Sequence, residues 1–318
     1  MDRLEEERRP AGHARRAWLT AVLAVSIVAC AAGDAPTSEP AQQVITEGPV
    51  EYRLIVRQSP PQKIHVVTVD LTDPRVSLHL CRGGADPDGD GVWETTLATV
   101  KDIAARNKLV AAVNGSMFTG KDKMTIGDIH DPYFTGNWSR SLGWTVSDGK
   151  VWATHPLSPE APSLVVIGDR TVQFGNFDKP PAEARQMVSG VQFIVRAGKN
   201  VAGKDARIDP RTAVGTARNG QELVMLVVDG GRRDEAVGFT LAQMADELIQ
   251  LGCQDGLILD GGGSSTIVFR GTRSNWEVMN HPSDGHDLIV PLSVTRPVAN
   301  ALGVVVGDVP DTQPVDPP

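Results

Sequence analysis

The sequence predicts an α+β fold, a single domain around a mixed, strand-rich sheet with a few helices. Three observations point there. Ten short aliphatic and β-branched runs, each bounded by Gly, Pro, Asn or Asp, read as strands. Only two segments carry a helical apolar repeat. One of those helices stands between two strand-like runs, so a strand–helix–strand crossover belongs to the sheet.

In chain order, residues 1–29 read as a lipoprotein-type signal peptide, not as fold. MDRLEEERRPAGHARR carries five arginines, and Ala17–Ala29 is an apolar run of 13 residues. That is too short to span a bilayer but suits a signal-peptide core, although the four acids in the leader are atypical. The run closes on Ile27-Val28-Ala29-Cys30, which resembles a bacterial lipobox. There the cysteine, here Cys30, becomes the lipidated first residue of the mature chain. The competing reading is ordinary cleavage near Ala29. The expected location is the bacterial cell envelope, exported and lipid-anchored, with membrane contact through the N-terminal lipid only, or secreted if the lipobox is not used. Residues 30–49, small, polar and proline-containing, read as a tether. The folded part is expected at 50–307, and the Pro/Asp segment 308–318 as a disordered tail.

Within 50–307, strands are expected at 52–57, 63–71, 109–114, 163–168, 191–195, 211–216, 222–229, 256–260, 265–269 and 301–307. The first helix is expected over Thr95–Asn107, with Leu97, Val100, Ile103 and Ala104 on one face. The second is TLAQMADELIQLG. Thr240 and Gln243 make a capping box, Leu241, Met244, Ala245, Leu248 and Leu251 form the apolar stripe, and Gly252 ends it. Composition is that of an ordinary globular chain, 41% hydrophobic and 22% charged. A net charge of −8 leaves no electrostatic footprint for nucleic acid. Export would permit a disulfide between Cys81 and Cys253, but two free cysteines is the favoured reading.

The runs flanking the second helix end in Asp229 and Asp260. A right-handed crossover makes them parallel, so both carboxylates leave at one edge of the sheet. LVAAVN ends similarly at Asn114. Adjacent strands would set the two aspartates about 5 Å apart at Cα, and one intervening strand about 10 Å. In LILDGGGSSTIVF, the glycines free the backbone for positive φ and close approach, and exposed N–H groups there, with the two serine hydroxyls, could form an anion nest. A strand, not a helix, is expected after them. The plain alternative is a tight, close-packed turn.

RTAVGTARNGQELVMLVVDGGR, followed by GFTLAQMADELIQLGCQDGLILDGGGSSTIVFRG, resembles the core of the phosphodiester glycosidase family. AAVNGSMF is similar to that family's upstream Asn-Gly-Gly-Phe-Phe segment. The resemblance covers Leu109 to Gly307 and is strongest over 211–271. It implies hydrolysis of the glycosidic bond of a sugar-1-phosphodiester in an exocellular glycan or glycoconjugate, with a phosphorylated carbohydrate as partner and no required cofactor. Asp229 and Asp260 would be the carboxyl pair, the narrow spacing suiting a retaining geometry and the wide one an inverting geometry. Asn114, Arg211, Thr212, Gly230, Arg232, Gly261, Gly262, Gly263, Ser264 and Ser265 would contact substrate, Arg211 and the Gly261–Ser265 loop holding the phosphate. Two departures stand out: NGSM in place of Asn-Gly-Gly-Phe, and DGGR in place of Asp-Gly-Arg, which shifts the guanidinium and leaves Arg233 as an alternative to Arg232. A non-catalytic phosphoglycan-binding lipoprotein and a metal-dependent phosphodiesterase remain the alternative classes.

DPDGDGVWE places Asp86, Asp88 and Asp90 as in the opening of a calcium loop, with Leu97 where a twelfth-position glutamate belongs. A structural calcium site and a solvated acidic turn are both open readings. The scattered histidines show no zinc-type spacing.

Overall fold

The run Glu222–Val228 shows how the fold is built: Leu223, Met225 and Val227 face one apolar cluster, and Val224, Leu226 and Val228 another. A strand covered on both faces needs no polar alternation, hence the unbroken aliphatic sequence. The computed structural model describes residues 42–122, 124–126, 129–155, 161–271, 275–284 and 294–307. These fall in a compact unit spanning Pro40–Pro318. The signal peptide, Cys30 and the 308–318 tail lie outside the described residues.

Two large sheets face each other. In the eight-stranded sheet the spatial order is Gln42–Glu47, Val50–Gln58, Pro61–Asp70, Glu222–Val228, Arg211–Ala217, Asp255–Ile258, Gln192–Arg196, Lys199–Asn200. A five-stranded sheet runs Trp276–Val278, Ile267–Arg270, Ala111–Asn114, Asn300–Val306, Val76–Arg82. The main core lies between them, with Tyr52, Val67, Val214 and Leu257 from the first sheet against Leu78, Val113, Phe269 and Leu302 from the second. A further five-stranded sheet, built from residues between Gly143 and Ser189, adds Trp152, Leu164 and Val188 to this core.

The two helices cover the outer faces. Helix α1, Val100–Arg106, packs on the five-stranded sheet through Val100, Ile103 and Ala104. Helix α2, Leu241–Gln250, packs on the eight-stranded sheet through Leu241, Met244, Ala245 and Leu248. The Thr240–Gln243 capping box forms as the sequence predicts. Helix α1 starts later than predicted: Thr95–Thr96 pairs with Trp138–Ser139 as strand, and the Thr99 side chain accepts the Asp102 N–H as N-cap.

All ten predicted strands form, but the sheets are not mixed. Among the described residues every strand pair is antiparallel. The crossover strands Glu222–Val228 and Asp255–Ile258 do run parallel to each other, because both are antiparallel to Arg211–Ala217, which lies between them. The tether also ends earlier than predicted. Gln42–Glu47 is an edge strand paired with Val50–Gln58. Gly48 at φ +60 opens the two-residue turn, and Ile45 reaches the core. Cys81 and Cys253 are both free thiols, and burial first, then Asp148 and Glu222 respectively, pushes each up to about 12.

Leu248 of α2 lies directly over Gly256, where a Cβ would meet its Cδ1 at 2.6 Å. Gly256→Ala overpacks this contact and is expected to cost about 1–3 kcal/mol. Leu248→Ala leaves a cavity costing about 2–5 kcal/mol. The double variant should lose less than the sum, since each change relieves the other; urea denaturation of all three reads this directly.

Candidate active site

The register places Asp229 and Asp260 at one edge of the eight-stranded sheet. Arg211 pairs with Val228, and the Leu259 N–H donates to the Thr212 carbonyl, so each aspartate follows its strand past the beginning of the Arg211 strand. With one strand between, their Cα atoms stand about 10 Å apart, the wider of the two spacings considered from sequence.

Asp229 is 2% exposed. Its Oδ1 accepts the His281 backbone N–H at 3.0 Å, and its Oδ2 lies 3.4 Å from His65 Nε2. His65 Nδ1 in turn lies 2.9 Å from the Tyr52 hydroxyl. Burial first, and the Asp229 charge second, hold the Tyr52 hydroxyl above its ordinary range. On the outer side, Arg232 Nη1 meets His281 Nδ1 at 2.7 Å and Glu235 at 3.6 Å. His281 is shifted down, by burial first and by Lys63 and Arg232, against the pull of Asp229 and Glu235.

Asp260 is part-exposed and sits differently. Burial pushes its carboxyl up to about 6, while the Ser264 hydroxyl, the Gly261 N–H and Arg296 pull it down. The Gly261 N–H donates to its Oδ1 at 2.9 Å. Ser264 acts on the carboxylate by proximity only, since its hydroxyl lacks the geometry of a hydrogen bond to any partner. Arg296 forms a two-pronged pair with Asp284, at 2.7 and 2.9 Å, and its guanidinium lies 3.9 Å from the Tyr133 ring centre.

The three glycines have separate reasons. Gly262 takes φ +60, which a side chain resists. At Gly263 a Cβ would run into the Asp284–Arg296 pair, so only glycine lets that pair seat against the loop. Gly261 lies in extended backbone near the Pro210 carbonyl. The anion nest expected from sequence is largely closed. Gly261, Gly262, Ser264 and Ser265 all donate their N–H groups within the fold, to Asp260 Oδ1, Pro210, Gly261 and Gly262 respectively. A single 3₁₀ turn, Gly262–Ser264, precedes the strand that was expected to follow the glycines directly. The hydroxyls of Ser264, Ser265 and Thr266 remain buried without a hydrogen-bond partner.

Other sequence-predicted residues shape the site from behind. Asn114 is fully buried: its Oδ1 accepts the Thr212 hydroxyl and the Thr266 N–H, and its Nδ2 donates to the Asp260 carbonyl. Thr212 is likewise buried in this network. The Arg211 guanidinium, expected on phosphate, donates instead to the carbonyls of Phe239 and Arg207 and pairs with Asp209 at 3.1 Å. Gly230 packs against Pro210 and Gly238, where a Cβ would not fit. In the acidic turn, Asp86 accepts the Asp88 and Gly89 N–H groups and Asp88 accepts that of Trp93. Among the described residues no group of three or more His, Cys, Asp or Glu side chains is placed to hold a metal ion.

Tyr52, His65 and Arg296 were not singled out as site residues from the sequence, whereas His281 and Asp284 lie in the loop NHPSDGHD (280–287), whose His and Asp could equally contact a sugar ring or belong to a plain surface loop. His65 carried a signal, a lone imidazole inside the apolar strand KIHVVTVDL. Arg296 carried none, because only the fold brings it to Gly263.

The phosphodiester glycosidase family matches residues 107–305. The chain is 28% identical over 223 residues to mouse N-acetylglucosamine-1-phosphodiester alpha-N-acetylglucosaminidase, covering 63% of this chain and 38% of the mouse protein. It is 27% identical over 221 residues to the SPbeta prophage-derived uncharacterized protein YomE of Bacillus subtilis, covering 66% of this chain and 31% of that protein. The chain thus spans well under half the length of these curated relatives. Its fold is similar to that of the zebrafish N-acetylglucosamine-1-phosphodiester alpha-N-acetylglucosaminidase catalytic domain, with TM-score 0.59, 22% identity and 86% of each chain covered. A hypothetical protein from Synechocystis shares it at TM-score 0.55 and 14% identity, over 86% of this chain and 65% of that one. On the extent of the family match, this chain belongs to the phosphodiester glycosidase family.

Proposed function

We propose that the protein hydrolyses the glycosidic bond of a sugar-1-phosphodiester in an exocellular glycan or glycoconjugate. The observation that carries this is the pair of aspartates at one sheet edge in contrasting surroundings. Asp229 receives a backbone N–H on one oxygen and faces an imidazole on the other, whereas the Asp260 carboxyl is raised to about 6. Two carboxyls whose environments differ in this way are the usual basis for dividing acid and base roles. The family supports the reaction class, and the activity for which the mouse relative is named supports N-acetylglucosamine as the sugar.

In this reading a water is deprotonated by Asp229 and attacks C1 of the sugar. The bond from C1 to the phosphate oxygen breaks, and the phosphomonoester leaves with the bonding electron pair. Asp260, when protonated, supplies the proton to the leaving oxygen. A phosphate monoester is already a good leaving group, so cations near it carry much of the stabilisation. Arg296 and the Arg232–His281 pair are the groups placed for that, in place of Arg211. One intervening strand gives the wider of the two spacings, about 10 Å at Cα, and this supports an inverting reading. The lipobox-like ending at Cys30 supports an exported, lipid-anchored enzyme in the cell envelope.

An ester of N-acetylglucosamine-1-phosphate with a simple alcohol, turned over in water enriched in heavy oxygen, tests the reaction. Label is expected on the free sugar, with kcat lowered ~10²–10⁴-fold in both Asp229→Asn and Asp260→Asn. Label on phosphate would reassign the protein as a phosphodiesterase. The pH profile gives a second check. Asp260 is protonated below about 6, so kcat/KM should fall as pH rises through that value, and the limb should vanish in Asp260→Asn. The same raised carboxyl makes the native state lose stability from the unfolded carboxyl range near 4 up to about 6, which thermal melts across that window would register. Export is checked separately: palmitate labelling of the expressed chain should disappear in Cys30→Ser.

A further inference from the structure

Behind Asp229, a chain of polar groups crosses three neighbouring strands inside the protein. Tyr52, His65 and Asp229 are 1%, 2% and 2% exposed and belong to or directly follow the strands Val50–Gln58, Pro61–Asp70 and Glu222–Val228. The Tyr52 hydroxyl lies 2.9 Å from His65 Nδ1, and His65 Nε2 lies 3.4 Å from Asp229 Oδ2. A neutral imidazole has one donor and one acceptor nitrogen, and a carboxylate only accepts. For a neutral ring beside an ionised Asp229, one arrangement satisfies the whole chain. The tyrosine donates to Nδ1, the imidazole proton sits on Nε2, and that N–H points at Asp229. The reverse tautomer would set a nitrogen lone pair against the carboxylate. The tyrosine is suited to its part, because burial and the Asp229 charge keep its proton in place.

We propose that His65 is a positioning residue: a neutral imidazole held by Tyr52 in the Nε2–H tautomer, whose N–H orients the Oδ2 side of Asp229. This rests on the reading of Asp229 as the base of the carboxyl pair. The His281 backbone N–H anchors Oδ1, so two donors from separate elements together fix the plane of the carboxylate. At 3.4 Å this contact is at the long end of hydrogen-bond distances. The other charged or titratable groups around Asp229 are His281, Arg232 and Glu235 on its outer side and Lys63 on the adjacent strand. None of them faces the His65 ring across an ion pair or hydrogen bond among the described residues.

Nitrogen-15 NMR of the full chain at pH 8 tests the tautomer without any substrate. The expected signature is a neutral His65 ring with its proton on Nε2, turning into a tautomer mixture in Tyr52→Phe. A proton on Nδ1, or an imidazolium, overturns the proposal. Kinetics then test the role. His65→Leu should lower kcat about 100-fold with KM little changed, the cost of a misoriented group. His65→Gln, which can present an N–H at similar reach, should recover ~10-fold of that. Equal losses in both variants, or a loss confined to KM, would mean that His65 only fills space. If the wild-type protein turns over no sugar phosphodiester, the proposed function fails, while the NMR result still decides the state of His65.

Discussion

One buried carboxamide holds the two large sheets in register where the candidate site lies. Asn114 ends the central strand of the five-stranded sheet, and its side chain reaches Thr212, Thr266 and the backbone of Asp260. The Asp260 N–H returns the connection by donating to the Gly115 carbonyl at 3.0 Å. Removing the carboxamide would leave several buried polar groups unpaired, each at a cost of about 1–3 kcal/mol. The position of Asp260 thus depends on a residue that itself presents nothing to solvent.

From that junction the two carboxyls acquire different surroundings. Asp229 leaves its strand on the side of the main core and is gripped by groups from the Pro61–Asp70 strand and from the segment at His281. Asp260 enters a glycine turn closed against the Asp284–Arg296 pair. The chain as a whole is acidic, at −8, yet Arg232, His281 and Arg296 gather around these two carboxyls. Each arginine is paired there with an acid, Arg232 with Glu235 and Arg296 with Asp284.

Strands buried on both faces were the legible ones. ELVMLVV, LVAAV and ALGVVV are continuous aliphatic runs because sheet and helix cover them from opposite sides. Strands such as Thr171–Phe177 escaped because one face is open and the sequence, TVQFGNF, is polar and broken by glycine. The Gln42–Glu47 strand escaped for the same reason, as an edge with little to bury. The mixed-sheet reading failed because a parallel crossover does not require its strands to be neighbours, and Arg211–Ala217 inserts between them.

The sequence by itself determined the strand-rich core, the capped helix α2, the emergence of Asp229 and Asp260 at one edge, and the family. Those follow from local periodicity, from the handedness of a crossover, and from an ordered set of motifs. Tertiary structure decided the partners. Arg211 turned to backbone carbonyls, the glycine turn spent its N–H groups internally, and Tyr52, His65 and Arg296 came to the site from distant positions. A hydrogen bond depends on angles and on desolvation of both groups, and neither is encoded in spacing along the chain.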